Sequence, residues 1–415
     1  MENVIKYIYH LRLDRKYMSF DSAITRNLID GGIQTRPVKA NGLWCPILIP
    51  TMLLFYSSLY PVSSLYKLTT FVSVGLLCYC LLFILFLSVS SEVLKEPEYG
   101  GCIASGLVAS MLVYTFLDTD LTYCIGVSVP TVYFFSWLLR HSIIMCPKTF
   151  TIGEAMIVMQ SVALFTIMSV AKFFFDFSCD DEEFEFISVI VYTVLTTVGL
   201  IVTALCTLPE EHRNMQKLGY IVASGVAFVM LLLHSLLGIT CLVKIVRYVF
   251  FENDRALRKS RIEPISSALQ SAFLVYSDEK DCGLFAMTPL YLYVGLAFPL
   301  LVVPSHQGRE LELLSGVLSI GVGDTAASWF GSKYGFNKWS GSNRTYEGTL
   351  FNILSQVGTV YALELFDLLH VNSAIRRTIV AATAAGLVEA STDQVDNLVL
   401  PLVTMIAFQL TWYMC

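Results

Sequence analysis

Long uncharged runs recur along almost the whole chain, and they set its class before any single residue is considered. Leu68 to Val89, for example, carries no Asp, Glu, Lys, Arg or His, and about twenty such residues make a helix that crosses the roughly 30 Å hydrocarbon core of a bilayer. Repeated, these runs predict an all-α, polytopic integral membrane protein with about 10–13 transmembrane helices. The 415-residue length alone would suit two or three soluble domains, but 55% of the residues are hydrophobic and only 14% are charged, which sets that reading aside. A net charge of −6 spread over short loops argues against nucleic acid as a partner. The eleven cysteines lie mostly inside apolar runs without a CxxC pair, so they read as reduced, buried, small apolar side chains.

Charge divides the chain into three parts. Residues 1–42 are polar, with Lys6, Arg12, Arg15, Lys16, Arg26, Arg36 and Lys39 outnumbering the acids, and no cleavable signal precedes the first apolar run. This stretch is expected to be a cytosolic tail. Residues 43–208 read as a transmembrane scaffold, with spans over about Leu43 to Tyr60, Leu68 to Val89, Cys102 to Leu117, Leu121 to Leu139 and Phe150 to Ala171. Glu154, near the start of the last of these, is expected at the membrane interface by the positive end of its helix. An acidic loop over Phe177 to Glu185 and a span from Phe186 to Leu208 follow. Residues 209–415 form the remaining part. Its apolar stretch Leu218 to Phe251 would reach roughly 50 Å as one helix, so it is split near His234 to Gly238. The polar segment 252–284 contains an amphipathic portion over Ile265 to Tyr276 and a charged cluster from Asp278 to Gly283.

Counting spans from that segment brings three charged stretches to one membrane face. Spans over Leu284 to Val303 and Leu311 to Phe330 return the chain for a loop at 331–349, and spans over Leu350 to Leu369 and Ala374 to Ala390 return it for Asp393, Asp396 and Asn397. Lysine and arginine density puts this face in the cytosol, although Arg376 and Arg377 then fall on the opposite side against the trend.

Two of those stretches carry candidate chemistry. In Ile320 to Thr349, the spacing of Asp324, Ala327, Ser328 and Gly331 puts one carboxylate and three small residues on one helix face, where a phosphate or another backbone can approach closely. No acid stands between Gly331 and Tyr346, while Lys333, Lys338 and Arg344 supply positive charge among glycines. That composition suits an anion. The absence of GK[ST] excludes a Walker A loop. In the second stretch, Glu389, Asp393, Asp396 and Asn397 line one side if the helix is continuous, and acids gathered at a membrane boundary call for pairing, hydration or a bound cation.

The motif Gly323-Asp324, Ala327-Ser328, Gly331, Trp339 with Gly341, Arg344-Thr345 and Glu347-Gly348-Thr349, followed by Glu389, Asp396-Asn397 and Pro401, resembles that of the CTP-dependent polyprenol kinases, the dolichol-directed members in particular. The likeness is clear over roughly the last half of the chain. A shorter Thr-x-Gly-Glu at Thr151 to Glu154 is similar too, and only Lys217 persists where the family tends to carry RKxxH. The resemblance implies transfer of the γ-phosphoryl group of CTP to dolichol, giving dolichyl phosphate for glycan assembly at the cytosolic face of the endoplasmic reticulum membrane. It implies a CTP site over Ser332-Lys333-Tyr334-Gly335-Phe336-Asn337-Lys338-Trp339-Ser340-Gly341-Ser342-Asn343-Arg344-Thr345-Tyr346-Glu347. Asp324, Asp396 and Glu389 are the expected catalytic acids, and Asp324, Asp396 and Asn397 the expected holders of Mg²⁺ or Ca²⁺ on the nucleotide. Asp324 is open between general base and metal ligand. Arg344 stands where many relatives have lysine. Asn343 begins the chain's one glycosylation sequon, which a cytosolic loop leaves unmodified.

Other activities stay open at this point: a CTP-dependent kinase of phytol or diacylglycerol, a phosphatidate cytidylyltransferase, or a transporter, since intramembrane acids also mark ion paths.

Overall fold

Uncharged runs of this length satisfy their backbone groups by coiling on themselves, and the described residues of the computed structural model do so almost throughout. These are residues 13–95, 98–175, 287–304, 308–339 and 342–412. The expectations for residues 177–284, including Lys217 and the break near His234, lie outside them, as do Ser340 and Gly341. All described residues belong to one compact unit, Met1–Phe177 with Glu279–Cys415. Apart from helices and turns, the described residues contain a single antiparallel bridge, between Lys338 and Thr345.

The helices in chain order are α1 (Leu13–Asp30), α2 (Leu48–Leu59), α3 (Ser64–Val89), α4 (Tyr99–Leu117), α5 (Leu121–Met145), α6 (Ile152–Phe175), α7 (Thr288–Val302), α8 (Glu310–Leu313), a π-helical segment Val317–Asp324 leading into α9 (Thr325–Tyr334), α10 (Tyr346–Leu365), α11 (Ala374–Ser391) and α12 (Asp396–Trp412). Among them α3, α4 and α5 are each long and apolar enough to cross a membrane, as expected of a multi-pass protein. α3 begins at Ser64 rather than Leu68 because Ser63 caps it, accepting a hydrogen bond from the Tyr66 amide at 3.2 Å. α5 runs six residues past the expected end at Leu139. Arg140 does not stop it: its guanidinium is buried and donates to the Ser136 carbonyl (3.2 Å) and hydroxyl (3.1 Å) one turn back. Small residues let these spans close on each other. A Cβ added at Gly75 would lie 2.6 Å from that of Ala109, and one at Gly106 would lie 2.8 Å from the Val129 Cα.

The expected tail is folded into the unit over its described part. Asn27 donates to the Leu87 carbonyl at 2.7 Å, Asp21 accepts from the Asn41 amide at 3.2 Å, and Arg36 is buried. α12 stands at the centre, packed against α2, α7, α11 and the π-helical segment.

A buried ion pair locks the end of α12 that lies far from its first residue. Arg377 on α11 donates to Glu312 on α8 at 2.6 Å and to the Phe408 carbonyl at 3.0 Å, with side-chain exposures of 2% and 0% for the two ionic partners. Next to it the Arg309 guanidinium lies 3.3 Å over the Tyr60 ring and donates to the Pro304 carbonyl. The conflict at Arg376 and Arg377 is thereby reduced: Arg377 is neutralised inside the bundle, and only the exposed Arg376 counts as a loop charge. Breaking such a pair leaves one buried charge uncompensated. Arg377→Ala is expected to cost about 3–5 kcal/mol, whereas Glu312→Met with Arg377→Met recovers most of it, as read by thermal unfolding in detergent; equal losses in both variants would remove this role.

Candidate active site

The π-helical segment Val317–Asp324 delivers Asp324 to the start of α9. Hydrogen bonding from i to i+5 widens the helix and is frequent at functional sites. A Cβ at Gly323 would sit 2.5 Å from the Gln356 side chain and 2.6 Å from that of Asn352, so glycine is needed where α10 presents two amides. The small residues beyond Asp324 serve packing: a Cβ at Gly348 would meet the Ala327 carbonyl at 3.0 Å and the Gly331 Cα at 3.3 Å. Ala327 and Gly331 thus form a close seam with α10, while Ser328 is exposed.

Between α9 and α10 the chain makes a short hairpin. The Trp339 amide donates to the Arg344 carbonyl and the Tyr346 amide to the Asn337 carbonyl, each at 2.9 Å. Trp339 stacks on Tyr346 at 4.0 Å between ring centroids and donates from Nε1 to Thr349 at 3.1 Å. Thr345 caps α10 by accepting from the Gly348 amide at 3.1 Å. Glu347 accepts from the Asn337 amide at 3.2 Å and from its side chain at 2.9 Å. Thr345, Glu347 and Trp339 therefore hold the loop's shape. Ser332, Lys333, Tyr334, Asn337, Lys338 and Asn343 are exposed, and Phe336 is 87% exposed; Lys333 lies over the Trp329 ring at 4.9 Å.

Arg344 turns inward. Its Nη1 lies 2.8 Å from Glu389 Oε1 and its Nη2 2.8 Å from Asp396 Oδ2. Partial burial pulls its pKa down, but the carboxylates of Asp396, Glu389 and, more weakly, Asp324 more than offset this and leave it raised. The hairpin, the end of α11 and the first residue of α12 thus meet through one guanidinium, with Asp324 in its field. Asn352 on α10 donates to the other oxygen of Glu389 and accepts from Gln356, both fully buried, which orients Glu389 from behind. These two amides were not singled out from the sequence. Their signal was two polar residues one helical turn apart in an apolar helix.

One expectation needs correcting. The acids do not stand on one continuous helix, since α11 ends at Ser391 and α12 begins at Asp396; Asp393 falls in the connection between them and Asn397 in the first turn of α12. Glu154 stands in the first turn of α6, as expected, but it is held by more than the helix end: it is fully buried and paired with Arg36. The predicted acids do come together, but around Arg344. Among the described residues no three His, Cys, Asp or Glu side chains form an ion cage by themselves. Carboxylates from two elements beside a cationic loop fit the other mode, in which Mg²⁺ takes one or two protein carboxylates and the remaining ligands from phosphates and water. The N-terminus of α12 lies at this cluster, where the positive end of a helix favours anions, whereas the first amides of α10 are taken up by Asn337 and Thr345.

No family model and no solved structure matches the chain. Curated relatives do. The chain is 35% identical over 180 residues to a dolichol kinase of Mus musculus, covering 41% of this chain and 33% of that protein. It is 34% identical over 151 residues to one of Arabidopsis thaliana (35% and 26%) and 27% identical over 168 residues to one of Saccharomyces cerevisiae (40% and 29%). The matched stretch spans about a third or less of the length of these relatives.

The hairpin geometry hinges on Gly335, where a Cβ would lie 2.3 Å from the Gly331 carbonyl and 2.5 Å from the Thr345 side chain. Gly335→Ala is expected to loosen the loop and raise amide exchange at Asn337 to Tyr346 by about ten-fold or more, as for loss of local protection, with α3 to α5 unchanged; unaltered exchange would show the contact to be dispensable.

Proposed function

We propose that this chain transfers the γ-phosphoryl group of CTP to the hydroxyl of dolichol, releasing CDP and dolichyl phosphate. The observation that carries the reading is the convergence of Arg344 with Glu389, Asp396 and Asp324 beside the N-terminus of α12, in a membrane chain similar to proteins named dolichol kinase.

Phosphoryl transfer needs positioning and charge neutralisation more than covalent help. Arg344 has three N–H bonds beyond the two directed at the acids, enough to reach a phosphate while still holding Glu389 and Asp396. The positive end of α12 favours the same oxygens. Asp396 and Asn397, with Asp324 where it does not act as base, would hold a divalent ion, which would supply charge neutralisation for the phosphates. Asp324 takes the proton of the dolichol hydroxyl as its oxygen bonds to the γ-phosphorus, and the bond from that phosphorus to CDP breaks. The acceptor reaches the site from within the bilayer, which accounts for a kinase built mainly of membrane helices. Exposed Lys333 and Lys338, with Phe336, are the side chains available to the outer part of the nucleotide. In this reading residues 209–415 are the catalytic part, 332–347 the CTP loop and 43–208 the scaffold. The site faces the cytosol at the endoplasmic reticulum, and its product feeds N-glycosylation and related glycan assembly.

The test is purified protein with CTP, ATP and a set of polyprenols. CDP and a phosphorylated polyprenol are the expected products; released pyrophosphate would point to a cytidylyltransferase. Asp324→Asn and Asp396→Asn are each expected to lower kcat by about two to four orders of magnitude, as loss of charge stabilisation does. Arg344→Lys is expected to cost about one to two orders, because an ammonium cannot bridge two carboxylates as a guanidinium fork does. Near-parent rates in all three would remove the site.

A further inference from the structure

Asp396 is the first residue of α12, so its place is set by the connection 392–395. That connection is held by residues from the other end of the chain. The Val395 amide donates to Glu154 Oε1 at 2.9 Å, and Arg36 Nη2 donates to the Asp393 carbonyl at 3.2 Å. The buried Gln394 side chain donates to the Ala40 carbonyl at 2.9 Å and accepts from the Thr151 hydroxyl. The clamp itself is fixed: Glu154 Oε2 accepts from the Thr151 amide at 2.9 Å, Arg36 pairs with both carboxylate oxygens, and the Arg36 amide donates to the Phe150 carbonyl at 2.9 Å. Gly153 donates to the Asn41 carbonyl at 2.9 Å, so close to the backbone at Gly42 that a Cβ would overlap the carbonyl oxygen.

We propose that Glu154 and Arg36 are positioning residues for Asp396, and that the segment around Arg36 is therefore part of the catalytic apparatus. The proposal rests on the kinase reading for its kinetic consequences and on geometry alone for its structural ones. Neither residue is paired with Arg344, so any effect on the reaction passes through the connection. Glu154 is suited to this because every group its carboxylate meets is a donor: two guanidinium nitrogens and the amides of Thr151 and Val395. Glutamine at this position would have to turn its NH₂ toward one of them. The buried donor opposite would lose its acceptor, and the connection would shift. A misplacement of about 1 Å at a reacting group is enough for a hundred-fold loss of rate.

Glu154→Gln in the full chain is expected to lower kcat by about ten- to a hundred-fold while KM for CTP and dolichol stays within about two-fold. In an Asp396→Asn background the same change is expected to cost less than about two-fold further, because residues that act through one another are not additive. Amide exchange over 394–397 should rise at least about ten-fold, with α3 to α5 unchanged. Should Glu154→Gln not accumulate, Arg36→Lys, which keeps the charge but shortens the fork to Asp393, should give a smaller effect of the same pattern. A full multiplicative loss in the Asp396→Asn background, or unchanged exchange over 394–397, would overturn the proposal. A parent protein that makes no phosphorylated polyprenol would defeat the kinase reading, and the exchange result would still decide whether Glu154 positions Asp396.

Discussion

One guanidinium between two carboxylates joins the parts of this site. Arg344 reaches Glu389 with one nitrogen and Asp396 with another, each at 2.8 Å, with Asp324 near enough to act on it. Without it three acids from three elements would face one another at a membrane boundary, where mutual repulsion and desolvation both oppose ionisation. With it, two of the three carboxylates are paired to one fixed cation. The same contact fixes the hairpin to α11 and α12, so the loop that would receive the nucleotide and the acids that would serve it are ordered together.

On α11 the ionic contacts stand apart, one near each end of the helix. Arg377 and Glu389 stand twelve residues apart on α11, about 18 Å along its axis. One is locked to Glu312 and the Phe408 carbonyl, the other to Arg344 and Asn352. Between them α11 and α12 pack closely, with Ala381 against Ala407 and Phe408 in one apolar cluster. A bundle pinned by ionic contacts at both ends resists sliding, which suits a site whose ligating groups come from separate helices. The second pin is distant from the chemistry and serves the fold.

Much of this was legible in the sequence. Uncharged runs located the described helices, three of them long and apolar enough to cross a membrane, because within hydrocarbon the backbone must satisfy itself in a helix or a closed barrel. The family motif picked out Asp324, Arg344, Glu389 and Asp396, which do converge. Local spacing failed where distant parts of the chain decide the outcome. The pattern Glu389, Asp393, Asp396 fits a continuous helix, yet the chain breaks there because Arg36, Ala40 and Glu154 bond the connecting backbone and side chains. Arg140 read as the end of a span because its bond to Ser136 is invisible to hydropathy. The pairing of Glu154 was not legible because its partner Arg36 lies 118 positions away. Small residues at Ala327 and Gly331 were compatible with ligand approach or helix packing, and packing against Gly348 is what they do.

The most direct measurement is photocrosslinking of a thio-substituted CTP to the purified full chain with Mg²⁺, followed by peptide mapping. The account predicts labelling within Ser332 to Glu347 that depends on the metal and disappears in Asp396→Asn. Labelling confined to another peptide, or labelling of this one that persists unchanged in the variant, would contradict it.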